Sequence, residues 1–191
     1  MKRRKNIEEL EERVKGCSKC DLSENRTNAV LGEGPGDADL MFIGEAPGRE
    51  EDKEGRPFVG RAGKLLDELL ENIGLAREEV YITNIILCRP PNNRDPEEEE
   101  IEACTPYLDE HISIVDPEII VPLGSFATSY ILDKYDLGDG TISGIHGKVF
   151  SVSNLKGQFK IIPQYHPAAA LYNPELEDVL EEDFKKIEEN L

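Results

Sequence analysis

An apolar run that ends in a glycine-rich, charged loop restricts the fold of this chain more than any other feature. Residues 40–43 (LMFI) are all apolar, and the sequence GEAPG follows directly. A short apolar run bounded by turn residues is typical of a strand buried on both faces, as in a parallel sheet. Glu45, a carboxylate at the end of such a strand, is a poor core residue and therefore indicates a site.

Strand-like and helix-like segments alternate along the chain. Further strands are predicted at 80–87, 116–123, 148–152 and 158–163, and helices at 6–16, 62–74, 97–114, 126–132, from residue 168 and at the C-terminus. This alternation predicts an α/β fold, with helices on both faces of the sheet, in a single domain spanning residues 1–191. Ligands bind at the carboxyl ends of parallel strands. Here those ends carry Glu45, Asn84, Ser125 and His166.

The composition bounds the class of protein. The chain is 38% hydrophobic and 32% charged, and it has no apolar run of about eighteen residues, so we expect a soluble, cytoplasmic protein with no membrane contact. The formal net charge of −18 argues against nucleic acid as a partner. Yet residues 97–102 contain five Glu, whereas residues 140–174 contain no acid at all. A locally positive face is therefore compatible with the sequence.

Four cysteines form two pairs. Cys17 and Cys20 have the C-x2-C spacing, and Cys88 and Cys104 are separated by fifteen residues. In a cytosolic protein this number favours a metal site over disulfides. Spacing alone leaves zinc, an iron–sulfur cluster and four free thiols open.

Several polar or aromatic residues near the strand ends allow both a structural and a functional interpretation. Glu45 and Glu51 belong either to a solvated acidic turn or to a site that activates water. Phe58, in a polar loop, either anchors that loop or stacks on a planar ligand. Asn84 either braces the chain or reads a base edge, since an amide both donates and accepts. Pro167 favours an extended backbone at His166, which would direct that ring into the cleft.

The two other histidines are weaker candidates. His111 lies in an acidic helical segment, and we expect it at the surface. His146 lies between glycines and could contact a phosphate.

Three motifs and the cysteines together resemble a known family. The segments GEAPGREEDKEGRPFVGRAG, VYITNIILCRPPNNRDP and HPAAAL occur in this order. With the four cysteines, they resemble the family-4 (type-4) uracil-DNA glycosylases, iron–sulfur members of the uracil-DNA glycosylase superfamily. The resemblance runs from Cys17 to about Leu171. It implies a three-layer α/β/α sandwich with a central four-stranded, mostly parallel sheet, and a 4Fe-4S cluster held by Cys17, Cys20, Cys88 and Cys104.

The resemblance also implies an activity and roles for the site residues. The expected reaction is hydrolysis of the N-glycosidic bond of deoxyuridine in DNA, which releases uracil and leaves an abasic site for base excision repair. The uracil would be bound by Gly44, Glu45, Ala46, Phe58, Asn84 and His166. His166 would stabilise the departing base, and Glu45 or Glu51 would handle water; in the related family-1 enzymes an Asp does so at or beside the place of Glu45.

Contacts to the DNA backbone are expected from basic and helix-terminal residues. The candidates are Arg56, Arg61, Lys64, Arg89, Arg94, Ser125 and Lys148. A related branch that becomes covalently linked to DNA has a basic insert with a His after the third cysteine. Residues 89–96 contain neither, so we expect turnover. We expect a monomer, and a sliding clamp is a candidate partner.

Two other classes of function fit the residues. One is a DNA-binding protein of the same fold without catalysis, and the other is a zinc-stapled hydrolase of small molecules. Glu45, Glu51 and His166 favour an enzyme.

Overall fold

The computed structural model describes residues 2–155 and 157–191, and its centre is a five-stranded sheet. The strands are β1 (Leu40–Gly44), β2 (Tyr81–Asn84), β3 (Ile119–Pro122), β4 (Phe150–Asn154) and β5 (Gly157–Ile161). Their order in the sheet is β2-β1-β3-β5-β4. The first four in this order run parallel, and β4 is antiparallel to β5. Residue 156, between β4 and β5, lies outside the described residues.

Helices connect the strands and cover the sheet. The helices and helical turns are α1 (Lys2–Lys15), α2 (Leu22–Asn25), α3 (Arg49–Glu54), α4 (Arg61–Asn72), α5 (Glu98–Val115), α6 (Gly124–Lys134), α7 (Ile142–Ile145), α8 (Pro167–Ala170) and α9 (Glu175–Glu188). Two 3-10 turns, Arg77–Glu79 and Pro91–Asn93, precede β2 and α5. None of the described helices has both the length and the apolar character needed to cross a bilayer.

The alternation of side chains along β1 explains the three layers. Phe42 packs on one face with residues of α4 and α9, including Leu66 and Phe184. Met41 and Ile43 pack on the other face with residues of α1, α5 and α6. Successive side chains of a strand point to opposite faces, so a strand that is apolar throughout must be covered on both. The predicted α/β/α sandwich is confirmed.

The sheet differs from the expectation in one respect. The resemblance implied four strands, and the four parallel strands are present, but β4 adds a fifth. This strand pairs with β5 from Phe150 opposite Ile161 to Asn154 opposite Gly157, as a hairpin at the sheet edge. The strand predicted at 80–87 is also shorter, because the chain leaves the regular ladder after Asn84.

The prediction for His111 is wrong. Its side chain is fully buried in α5 and lies against the Tyr81 ring, with ring centroids 5.8 Å apart. Helix α5 packs between α1 and the sheet, so it has a buried face as well as an acidic one. Burial lowers the pKa of His111 to about 4, which keeps the ring neutral at physiological pH.

The packing of α9 against β1 gives a stability prediction. Phe184 is fully buried and stacks on Phe42 at 5.8 Å. Phe184→Ala should lower the free energy of unfolding by about 3–5 kcal/mol, because it removes apolar contacts and leaves a cavity. Urea denaturation measures this change. The control Leu155→Ala removes a fully exposed side chain and should change stability by less than about 0.5 kcal/mol; equal losses in the two variants would contradict the assignment.

Candidate active site

A cleft opens at the carboxyl ends of the parallel strands. It has a volume of about 410 Å³. Residues at the end of β2 and in the segments that follow β1 and β5 line it, among them Glu45, Ala46, Glu51, Phe58, Asn84 and His166. All six were predicted to lie together, and the structure places them around one cavity. Gly44 lies directly behind it, against Asn84 and Phe58.

His166 is held as a neutral ring with a defined proton position. It precedes α8, and the backbone N–H of Ala168 donates to its Nδ1 at 3.1 Å. An accepting Nδ1 cannot carry the proton of a neutral imidazole, so the proton must be on Nε2. Burial lowers the pKa of His166 to about 4, although the negative charge of Glu51 opposes this shift. At physiological pH the ring therefore donates through Nε2.

Phe58 presents its ring to the cleft from a strained backbone. Its φ is 51°, a left-handed value that costs a non-glycine residue on the order of 1–3 kcal/mol. The side chain is buried and stacks on His166, with centroids 5.4 Å apart and planes 23° apart. A Cβ atom at Gly63 would lie 1.9 Å from the Phe58 carbonyl oxygen, so that position requires glycine. Phe58 is thus both an anchor of its loop and an aromatic surface of the cleft.

Asn84 supplies an amide without a protein partner. Its side chain is only 2% exposed, yet the amide forms no hydrogen bond with any residue that the structure describes. A Cβ atom at Gly44 would lie 2.4 Å from Asn84 Oδ1 and 2.7 Å from Phe58 Cε2. Glycine therefore allows both side chains to meet at the cleft. Because this amide borders the cleft and has no partner among the described residues, it is available to a ligand that hydrogen-bonds there.

The two candidate carboxylates differ in their surroundings. Oε1 of Glu51 accepts hydrogen bonds from the backbone N–H groups of Val59 at 3.1 Å and Gly60 at 2.9 Å. The carboxylate of Glu45 is half-buried and accepts no hydrogen bond within residues 2–155 and 157–191. Burial raises the pKa of Glu45 above its usual range, and the negative charge of the neighbouring Asp95 adds a smaller shift in the same direction. Of the two, Glu45 has the environment of a base.

The four cysteines, distant in sequence, lie in two adjoining apolar clusters. Cys20, Cys88 and Cys104 pack in one, and Cys17 packs with Cys104 in the other. All four are free thiols. Burial and the nearby cysteines raise the pKa of Cys104 to about 12, and burial also raises that of Cys88. Neutral thiols are thus favoured here until a positive charge is bound.

Two N–H groups point at these sulfur atoms. The backbone N–H of Leu87 donates to Cys104 Sγ at 3.3 Å, and Arg26 donates to Cys88 Sγ at 3.0 Å. Arg26 also donates to the carbonyl of Cys17. Within the described part of the chain, no three metal-binding side chains are close enough to hold a single ion. Ala46, which lines the cleft, packs in the same cluster as Cys88.

The expected DNA-binding residues fall into two groups. Arg56 pairs with Glu33 through two bonds of 2.8 Å, and Arg94 pairs with the buried Glu100 at 2.6 Å. The others have exposed or partly exposed side chains that form no ion pair with a described residue, and Ser125 is exposed at the start of α6. That second group consists of Arg61, Lys64, Arg89 and Lys148.

Sequence reasoning missed three residues of this region. Arg49 and Tyr172 line the cleft, and the Tyr172 side chain is 90% exposed. Arg77 lies behind the cleft and contacts the loop of Phe58. Tyr172 follows the HPAAAL motif directly, so an aromatic beside that motif was a usable signal. No sequence signal pointed to Arg77, because the residues that it contacts lie about twenty positions away in the sequence.

Comparison with known proteins assigns this fold and cleft to a family. A profile of the uracil DNA glycosylase superfamily matches residues 31–191. The type-4 uracil-DNA glycosylase of Sulfurisphaera tokodaii is 55% identical over 185 residues, which cover 96% of this chain and 84% of that protein. The type-4 uracil-DNA glycosylase of Saccharolobus solfataricus is 51% identical over 97% of this chain and 87% of that protein. The type-4 uracil-DNA glycosylase of Archaeoglobus fulgidus is 50% identical over 96% of this chain and 92% of that protein. The chain belongs to the uracil DNA glycosylase superfamily, and the predicted resemblance to its type-4 members is confirmed.

The hydrogen bond at His166 leads to a spectroscopic prediction. Long-range ¹H–¹⁵N spectra at pH 7 should show His166 as the neutral Nε2–H tautomer, and its ring should titrate near pH 4. His146 is the internal control: its Nδ1 lies 2.5 Å from an Asp183 carboxylate oxygen, so its Nδ1 must carry a proton. A His166 ring that is protonated at pH 6 would contradict the geometry.

Proposed function

We propose that this protein is a monofunctional uracil-DNA glycosylase. It hydrolyses the N-glycosidic bond of deoxyuridine in DNA, releases uracil and leaves an abasic site, the first step of base excision repair. The observation that carries this proposal is the neutral His166, stacked on Phe58 beside the unpaired amide of Asn84. A flat base with a polar edge fits these three groups, and the curated relatives are named for this activity.

Binding begins with extrusion of the base from the helix into the cleft. Phe58 stacks on the ring, which is worth on the order of 1–3 kcal/mol for any base. Asn84 supplies the discrimination, since its amide pairs with the alternating donor and acceptor of the uracil edge, whereas cytosine would mismatch it. Tyr172, exposed on the same cleft, is placed to occupy the space that the extruded base leaves.

Cleavage breaks the bond between C1′ and the base nitrogen, and the bonding electrons stay on uracil. The Nε2–H of His166 donates to the uracil carbonyl that becomes negative; a preset donor of this kind is worth roughly 3–4 kcal/mol. The sugar becomes cationic, and Glu45 favours that charge. Water adds at C1′, and its proton passes to Glu45.

The DNA backbone contacts are assigned to the cations that form no ion pair with a described residue. Arg61, Lys64, Arg89 and Lys148 bind phosphates, assisted by Ser125 and its backbone N–H at the start of α6. Arg56 and Arg94 contribute less, because each is engaged by a carboxylate. We further propose that the chain acts as a monomeric single domain in the cytoplasm, with a sliding clamp as a candidate partner.

We propose that the four cysteines hold a 4Fe-4S cluster. The donor set fits: four free cysteines share one region, and two of them already receive N–H···S bonds. Such a cluster would supply the positive charge that stabilises the thiolates and would tie the N-terminal arm to the loop after β2. Because Pro90 and Asn93 of that loop line the cleft, the cluster would keep the cleft in shape.

Uracil release tests the activity and the division of roles. The purified protein should release uracil from a U·G duplex. Glu45→Gln should lower kcat about 10²-fold or more, in line with the loss of a general base, and His166→Ala should lower it by about 10²–10³-fold. For the intact protein, kcat should fall on acidification through a pKa above the usual range of a glutamate, because burial raises the pKa of Glu45 and only its ionised form is active. Glu45→Gln should lack this acid limb.

The matched control is Glu51→Gln. A glutamine oxygen can accept the same two backbone hydrogen bonds, so activity should be nearly unchanged. A larger loss for Glu51→Gln than for Glu45→Gln would reverse the assignment of the two carboxylates. Absence of uracil release by the intact protein would refute the proposed function.

Spectroscopy tests the cluster independently of activity. Anaerobically purified protein should be brown, absorb near about 400 nm and contain about four iron atoms per chain. Cys88→Ala should lose the absorbance and melt at a lower temperature. The control Ser18→Ala, an exposed residue between the first two cysteines, should retain both. A colourless protein with stoichiometric zinc would contradict the proposal.

A further inference from the structure

We propose that Arg77 and Glu51 are positioning residues that hold Phe58 in its left-handed conformation and so preset the surface on which the extruded base stacks. Neither acts on the substrate directly in this inference, which rests on the proposed function. Arg77 is not among the residues that line the cleft, whereas Glu51 lines it; both act here through the loop that carries Phe58.

Arg77 binds the loop through its carbonyl groups. Its Nη2 donates to the Pro57 carbonyl at 2.5 Å, and its Nη1 donates to the Phe58 carbonyl at 3.1 Å. Its side chain is 14% exposed, and the guanidinium is itself oriented by Asp67 at 2.9 Å and Glu33 at 3.3 Å. A guanidinium is planar and carries several donors in a rigid fork. This geometry lets one side chain bind two consecutive carbonyls and two carboxylates.

Glu51 binds the same loop through its N–H groups. It accepts from Val59 and Gly60, the two residues that follow Phe58. Four consecutive residues, 57–60, therefore each have a backbone group bound by one of two charged side chains. The strained φ of Phe58 persists because both sides of its position are constrained. A strained residue at a ligand surface is maintained only where its surroundings over-determine it.

The direction of the Phe58 ring depends on this arrangement. The ring stacks on His166, and its Cε2 and Cζ atoms lie next to Gly44. If residue 58 relaxed to a negative φ, its Cα–Cβ bond would point elsewhere and the stacking surface would leave the cleft. Arg77 thus affects base binding through Phe58. If Arg77 only formed ion pairs with Glu33 and Asp67, no effect on base binding would be expected.

The test is a double-mutant cycle between Arg77→Lys and Phe58→Leu. A lysine keeps the charge but cannot bind both carbonyls. Arg77→Lys should lower kcat/KM for uracil-containing DNA by about tenfold and weaken inhibition by free uracil by a similar factor, the range expected for one stacking contact. Affinity for DNA without uracil should be unchanged. In the Phe58→Leu background, Arg77→Lys should cost less than about twofold, because the group through which it acts is already gone.

Asp67→Asn is the matched control. It removes the negative charge but keeps a side-chain oxygen that can accept the Arg77 hydrogen bond, and both carbonyl contacts remain, so kcat/KM should be retained. Equal losses from Arg77→Lys in the two backgrounds, or an equal loss from Asp67→Asn, would overturn the inference.

A second measurement needs no activity. The Phe58 ring lies over His166, so its ring current shifts the imidazole protons of His166. Arg77→Lys should move these resonances toward their positions in Phe58→Leu, and Asp67→Asn should leave them in place. Unmoved resonances in Arg77→Lys would refute the positioning role even if uracil release is observed. An inactive protein whose resonances move as expected would refute the proposed function and leave the positioning role supported.

Discussion

Parallel pairing of β1 with β2 and β3 is the constraint on which the rest of the structure depends. Residues 41–44 of β1 align with 81–84 of β2, so Gly44 lies opposite Asn84. Beyond β3, the bridge between Leu123 and Gln164 carries the alignment to the segment that leads into His166. Parallel strands end at the same edge of a sheet, and this edge therefore gathers an amide, an imidazole and a carboxylate. The cleft is a direct consequence of the register.

Burial then converts these groups into chemically distinct ones. The same removal of water disfavours the charged form of each titratable group, so it raises the pKa of Glu45 and lowers that of His166. The site thus holds a basic carboxylate beside a neutral imidazole. A neutral ring has no charge with which to bind the substrate in its ground state, but it can donate a hydrogen bond to the anion that develops in the transition state. This suits a role confined to the transition state.

Much of the fold and most of the cleft follow from patterns in the sequence, for identifiable reasons. The apolar run of β1 and the helical periodicity of α4 are local signals, and both elements occur where they were predicted. His111 shows where such reasoning fails. An acidic stretch suggested exposure, but a helix has several faces, and the side that bears His111 packs on Tyr81. The sequence predicted the extra strand β4 as a strand-like segment. It did not predict that this strand would join the sheet at its edge, because that depends on long-range pairing.

The sequence by itself determined the alternation of elements, the strand ends that must converge, the cysteine set and the family motifs. Only the tertiary structure decided how those residues are used. The tautomer of His166 depends on the N–H group of Ala168. Glu51 differs from Glu45 because it accepts hydrogen bonds from the backbone of Val59 and Gly60. The conformation of Phe58 depends on Arg77, which is distant in sequence. Periodicity encodes which face of an element is buried. It does not encode which hydrogen-bond partner arrives from elsewhere in the chain, and that partner sets the chemistry of each group.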